Sequence, residues 1–283
     1  MAIAQQELVL AVQELEPLAP TSARLASLLS RPDWSMSEVE EAVSLDQALT
    51  AKLIRLANSA LWFRGHSIVT VREAAMRLGS GTVIGLAMGA GVQRRLSRPL
   101  PQYGLGEGEL WTHSVAAALA TSVLDAKTDV AVPVESFASA LLHDVGKLVM
   151  ARYLDGDRLH RIEEVRRAEN LSRNECEIAV LGLDHAELGG VVGVHWHLPE
   201  QLVAGIVHHH DPTGTHEPIA SVVHVADALA HRAQALTVGV LGGERPEPPC
   251  FEALDRLGLA TADLDEIAHA VADQLSDVLR RFA

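Results

Sequence analysis

Apolar residues recur three and four positions apart along most of this chain, the spacing of one face of an α-helix. Between residues 37 and 58, Val39, Ala42, Val43, Leu49, Leu53, Leu56 and Ala57 keep that spacing. Ser37 followed by Glu40 reads as a capping box for one helix, and Ser44 with Gln47 as the start of a second. Val71, Ala74, Ala75 and Leu78 form a short stripe closed by Gly79, a C-terminal cap. Gly81, Gly85 and Gly89 then recur every fourth residue, which predicts close contact with another helix. Residues 96–109 are rich in Pro and Gly and break the pattern, so the chain divides into lobes at 1–98 and 99–283. Beyond the break the pattern predicts helices over 110–124, from 134 into the run LLHDVGK, and over 156–170, 172–181, 185–196, 199–209, 218–233 and 262–282. A second Gly/Pro break covers 242–249.

Composition supports helix over sheet, because aromatics are 4% of the 283 residues while Ala and Leu abound. The expected fold class is therefore all-α, a helical bundle. With 48% hydrophobic residues the chain can build a sizeable core. Its two cysteines, Cys176 and Cys250, are too few for a disulfide framework, which fits a reducing compartment. The N-terminus lacks the basic and apolar regions of a signal peptide. No apolar stretch approaches the roughly 20 residues that span a bilayer. A cytoplasmic protein without a membrane partner is the expectation.

Charge is unevenly spread. Residues 1–100 carry 10 basic and 9 acidic side chains, residues 101–283 carry 13 and 28, and the net charge is −14. So acidic a second lobe argues against nucleic acid as a partner. Arg94, Arg95 and Arg98 form a basic cluster at the junction, too small for DNA binding. Lys52, Arg55 and Asn58 offer a candidate partner surface, although a solvated face with an Asn cap explains them as well. Trp62 and Phe63 read as core.

The candidate chemistry lies in scattered histidines and aspartates: His113, the adjacent His143 and Asp144, His185, the pair His209 and His210, and Asp227. Imidazole and carboxylate donors suit first-row metals, and one carboxylate has two oxygens with which to bridge two ions. Lys147 lies three residues after Asp144 and four after His143, so it can share their face and reach a phosphate. A metal pair with a cation beside the phosphate is a layout for phosphoester hydrolysis, with Asp144 and Lys147 as its catalytic residues. Each element alone is weak. His195, His197, His208, His216, His224, His231 and His269 read as ordinary surface or core residues.

The ordered set His … His-Asp-x-Gly-Lys … His … His-His … Asp resembles the HD superfamily of metal-dependent phosphohydrolases. Within it, the chain is similar to the HDOD proteins, HD-related output domains of bacterial signalling. The N-terminal half carries that resemblance in LEPLAPTSARLASLL, SMSEVEEAVSLDQALTAKLIRLANSALW and IVTVREAAMRLG. The C-terminal half carries it in LWTHS, SALLHDVGKLVM, LGLDHAELGGVVGVHWHLPE and IVHHHDP. The resemblance implies an N-terminal helical lobe packed on an HD-type lobe, and a regulatory role downstream of sensors or nucleotide messengers. Many members are thought to have lost catalysis, yet every position here that matches an HD ligand keeps a ligand-capable side chain. The Gly-Tyr-Pro signature of the HD-GYP cyclic di-GMP phosphodiesterases is absent, since HHHDPTGTHEP stands in its place.

Three readings follow. One is a signalling module that holds one or two divalent transition ions, with Fe, Mn and Zn not distinguished, and acts through a protein partner or a nucleotide ligand. Another is an active phosphohydrolase on a nucleotide or cyclic dinucleotide. In the third, the polar residues only satisfy one another inside the bundle.

Overall fold

The computed structural model describes residues 2–59, 62–237, 239 and 248–282. Seven helices come first: α1 (Ala2–Val12), α2 (Pro20–Leu29), α3 (Met36–Ser44), α4 (Gln47–Ala57), α5 (Val71–Leu78), α6 (Ser80–Ala90) and the short α7 (Gln93–Leu96). After the Pro/Gly segment follow α8 (Glu109–Lys127), α9 (Ser136–Leu142), α10 (Lys147–Met150), α11 (Gly156–Glu169), α12 (Arg173–Leu181), α13 (His185–His195) and α14 (Glu200–Val207). The chain continues through α15 (Pro218–Thr237), α16 (Phe251–Arg256) and α17 (Asp263–Phe282). Among the described residues the only β-type pairing is an isolated bridge between Leu100 and Leu105. The fold is all-α, as the periodicity predicts, and no helix among the described residues is long and apolar enough to cross a membrane.

Local chemistry starts and stops these helices, sometimes two residues away from the expectation. The capping box before α3 is Ser35 with Glu38, and α4 is capped by Asp46, whose carboxylate accepts from Leu49 N. Ser37 and Ser44 lie inside α3 instead, because neighbouring Ser/Asp and Glu residues offer competing boxes and the tertiary packing selects one. Gly79 does close α5, with φ of 89°. Asn58 does more than cap α4: its amide donates to Ile68 O and its carbonyl accepts from Ile68 N, which latches the connection to α5. Trp62 packs against the core, but Phe63 is 44% exposed, contrary to the expectation of a core residue. Most of the break at 242–249 lies outside the described residues.

α8 forms the axis of the second half. It is buried almost all round, from Leu110 to Leu124, between α9, α15 and α17. The glycine stripe of α6 makes the close approach expected of it. A Cβ at Gly85 would stand 2.3 Å from Phe137 Cδ1, and one at Gly89 2.1 Å from Leu141 Cδ2. The stripe thus lets α9 lie directly on α6. α1 reaches across to α10 and α13, and α17 to α4. One continuous apolar cluster runs from Leu8 to Val278.

This packing gives a first prediction. Fragment 1–98 alone would expose Val83, Ile84, Leu86 and Met88 of α6, all buried in the whole chain. It is expected to aggregate or to melt without a cooperative transition. A monomeric fragment with a sharp thermal transition would show that the two halves fold independently.

Candidate metal centre

α9 ends at Leu142, and the chain passes through His143-Asp144-Val145-Gly146 in a tight turn before α10 begins at Lys147. The turn uses i→i+3 bonds, such as Val145 N to Leu142 O and Lys147 N to Asp144 O. The HD pair therefore sits on a turn between two helices, where a continuous helix was expected. Gly146 seats the turn against α13, since a Cβ there would lie 2.0 Å from His185 O and 2.6 Å from Gly189 N.

All seven residues singled out from the sequence, from five separate segments, come together in one buried cluster. His113 on α8 and the HD turn face Asp227 on α15: His113 Nε2 lies 3.2 Å from His143 Nε2, 2.9 Å from Asp227 Oδ1 and 3.8 Å from Asp144 Oδ2. On the other side of Asp144, Oδ1 lies 3.2 Å from His185 Nε2, which is 2.9 Å from His210 Nε2. His185, His209 and His210 offer donor atoms within 4.8 Å of one another, as do His113, His143 and Asp144. Asp144 thus stands between two donor groups with one oxygen toward each.

Four imidazoles spend Nδ1 on outside partners. His143 and His209 point it at Ala140 O and Ile206 O, at 2.7 and 2.8 Å. His113 pairs with Gln234 Oε1 and His185 with Glu177 Oε2, at 2.9 and 2.7 Å. Each ring is thereby fixed in orientation with Nε2 facing the cluster, the arrangement that outer partners impose on metal-binding histidines. The buried Nε2 of His209 has no hydrogen-bond partner at all. A buried, orphaned acceptor among converging lone pairs is costly unless an electrophile sits there. The donor set therefore fits one or two borderline divalent ions.

Charges in the cluster are strongly coupled. Burial works against the ionised form of Asp144, but Lys147, His143 and His185 hold its carboxyl well below the usual range. His185 is pushed up to about 10: burial opposes this, and the Glu177 carboxylate outweighs it. His209 and His210 go the other way, because burial and neighbouring imidazole charge both disfavour their protonation. Lys147 donates to Asp144 Oδ2 at 2.9 Å. Its Nζ also lies 5.5 Å from the centre of the Tyr103 ring, against which Arg173 packs from 5.0 Å.

Asp144, His185, His210 and Asp227 of the cluster line a cleft of about 1080 Å³, together with Lys147, Arg166, Arg173, His208 and His231. Arg152, five residues after Lys147 and just past α10, lines a different cleft.

Four contributors were not singled out from the sequence. His231, read as ordinary, has Nε2 3.6 Å from Asp227 Oδ1 and its ring centre 4.5 Å from that of His113. With His113 and Asp227 it forms a third group able to hold an ion. The signal was present, because Asp227, His231 and Gln234 lie at i, i+4 and i+7 on one face of α15. Glu177 is fully buried, and Tyr103 donates to its Oε1 at 2.9 Å. Nothing in the local pattern of α12 or of the 96–109 segment marks either residue. Glu177→Ala is expected to leave the His185 Nδ1–H and the Tyr103 hydroxyl unpaired and to weaken metal affinity about 10–100-fold. Titration with Mn, Fe or Zn checks this, and unchanged affinity would show that Glu177 does not orient His185.

An all-α bundle with His and Asp donors converging from separate helices defines an HD-type protein. The HDOD domain family matches residues 15–212, and the chain belongs to that family. Asp227, His231 and Gln234 lie beyond the matched span. An uncharacterized protein of Treponema pallidum is 24% identical over 239 residues, covering 83% of this chain but only 44% of the relative's length. Among solved structures, a provisionally named phosphohydrolase from Shewanella amazonensis superposes with a TM-score of 0.68 at 24% identity, over 98% of both chains. An HDOD domain protein of unknown function from Geobacter sulfurreducens gives 0.64 at 23% identity, over 98% of this chain and 97% of its own. At these identities the likeness concerns the fold.

Proposed function

We propose that this HDOD chain is a signalling module whose HD site holds one or two divalent transition ions and presents them to a phosphate-bearing nucleotide ligand or to a partner protein. The observation that carries the reading is the inward convergence of imidazole Nε2 atoms, four of the five rings held by an outer partner, on a cluster that includes the orphaned His209 Nε2. His113, His143 and Asp227 would hold one ion, His185, His209 and His210 the other, and Asp144 both. Ions bound there supply positive charge and Lewis acidity toward a phosphoester. The chain itself contributes the Lys147 ammonium on the cleft floor and the Arg166 and Arg173 guanidiniums on its wall, which suit phosphate oxygens.

A second reading, metal-dependent hydrolysis of a linear or cyclic dinucleotide, is favoured by Lys147 standing 2.9 Å from Asp144 on the floor of an open cleft. Hydrolysis also requires the scissile phosphate to be held in line for attack. Where HD-GYP enzymes carry their signature, Thr213, Gly214, Thr215 and His216 follow Asp211-Pro212. That segment folds on itself: Asp211 accepts from Thr213 N and Oγ1, and Arg256 donates to Pro212 O at 2.8 Å. Weak or no cleavage of cyclic di-GMP is therefore expected.

Elemental analysis of protein purified without added metal or chelator, followed by phosphodiesterase assays on linear and cyclic dinucleotides, tests both readings. Stoichiometric metal without turnover supports the module. Multiple turnovers that vanish in His143→Ala and Asp144→Ala would put the enzyme first. Protein that neither carries nor takes up Mn, Fe or Zn would defeat both.

A further inference from the structure

A second concavity, of about 420 Å³, opens at the junction of the two halves, away from the metal cluster. Four arginines line it: Arg94 and Arg95 on α7, Arg98 just after it, and Arg152 just after α10. Leu15, Leu100, Leu148 and flanking prolines supply an apolar wall, and Glu14 and Glu16 are also present. Arg95 is committed, with Nη2 donating to Glu16 Oε2 at 3.0 Å and to Pro17 O at 3.1 Å. The guanidiniums of Arg94, Arg98 and Arg152 have no ion pair or hydrogen bond among the described residues. Their charge is nonetheless felt, because Arg95 by its hydrogen bond, and Arg94 and Arg98 by charge, hold the Glu16 carboxyl below its usual range.

In a chain of net charge −14, three uncommitted guanidiniums on one concave surface need a reason. Solubility does not supply one, since like charges gathered around a cavity repel each other. An anion would bring them together. The volume lies in the range of small-molecule sites, and guanidinium forks match phosphate oxygens in pairs while their flat faces stack on planar rings. We propose that this junction cleft binds an organic phosphate of mononucleotide size, its phosphate on Arg94, Arg98 and Arg152 and its apolar part against Leu15, Leu100 and Leu148. The site is separate from the metal cleft and does not depend on what that cleft does. The two clefts share short elements. Leu148 and Arg152 line the junction cleft while Lys147 faces Asp144. Gln102 lines it too, with its carbonyl accepting from Arg173 on the metal side.

Isothermal titration of the full chain with 5′-AMP, 5′-GMP, GDP and pyrophosphate tests the proposal. At least one nucleotide is expected to bind, more weakly as salt rises. The double variant Arg98→Ala/Arg152→Ala is expected to weaken it about tenfold or more, the scale of losing charge-assisted hydrogen bonds. Stripping metal with the neutral chelator 1,10-phenanthroline is expected to leave the affinity within about twofold, because none of the metal-site donors lines the junction cleft. No binding by any probe would overturn the proposal. So would binding that survives the arginine variant but is lost on chelation, which would place the ligand at the metals. Binding of pyrophosphate alone, with no nucleotide, would also overturn it. Capture of an acidic peptide in preference to every phosphate would make the cleft a protein-docking surface instead.

Discussion

Asp144→Ala is expected to abolish metal binding and to remove the thermal stabilisation that metal gives the wild-type chain, and His143→Ala to weaken both. Asp144 faces both donor groups, with Oδ1 3.2 Å from His185 Nε2 and Oδ2 3.5 Å from His143 Nε2. Its loss takes a donor from both positions at once and leaves the buried Lys147 without its carboxylate. His143 removes one donor from the first group only, so some residual binding by His185, His209 and His210 is expected in that variant. An ion present at about a thousand times its dissociation constant stabilises the folded state by about 4 kcal/mol. In a chain of this size each kcal/mol moves the midpoint by about 2–4 °C, so metal should raise the wild-type melting temperature by roughly 10 °C. Differential scanning calorimetry with and without metal, beside elemental analysis, reads both effects. A wild-type melting temperature that is indifferent to Mn, Fe and Zn would show that the cluster is only a hydrogen-bonded remnant.

The second large effect is steric. Gly146→Ala is expected to destabilise the protein by more than about 3 kcal/mol, beyond the common cost of overpacking. The new methyl would meet His185 O at 2.0 Å and Gly189 N at 2.6 Å, and both are backbone atoms that no side-chain rotation can move. The HD turn and α13 would have to separate, drawing Asp144 away from His185. Urea unfolding of the variant, or its failure to accumulate as soluble protein, gives the measure. Gly156→Ala makes a suitable control, because nothing lies within 4 Å of the Cβ it would add. If Gly146→Ala stayed within about 1 kcal/mol of wild type, the close seating of the turn on α13 would be wrong.

The two predictions draw differently on the sequence. His143, Asp144 and their five companions could be selected from the chain because ligand chemistry restricts the residue types and because they recur in the order of the HD family. Gly146 could be seen as part of a motif, but the reason for a glycine there is the backbone of α13, 39 or more residues further along the chain. His231 and Gln234 left a trace, a polar line on α15 that shares a face with Asp227. Glu177 and Tyr103 left none. Their roles come from burial beside His185, and burial belongs to the packed bundle.

The sequence by itself determined the helices, the glycine contact of α6, the interruption at 96–109 and the donor residues. Each of these follows from spacing or side-chain chemistry within a few residues, which are local properties of the chain. Which of two competing caps begins α3, whether Phe63 is covered, and that the HD pair occupies a turn were decided by contacts between distant segments. The tertiary structure alone brought Gln234 to the ring of His113 and Glu177 to that of His185, whereas His143 and His209 take the backbone carbonyls of Ala140 and Ile206, three residues earlier in their own segments. It also gathered Arg94, Arg98 and Arg152 around one cleft, although 54 residues separate Arg98 from Arg152. Side chains so far apart in sequence meet only when the burial of apolar faces fixes the helices that carry them.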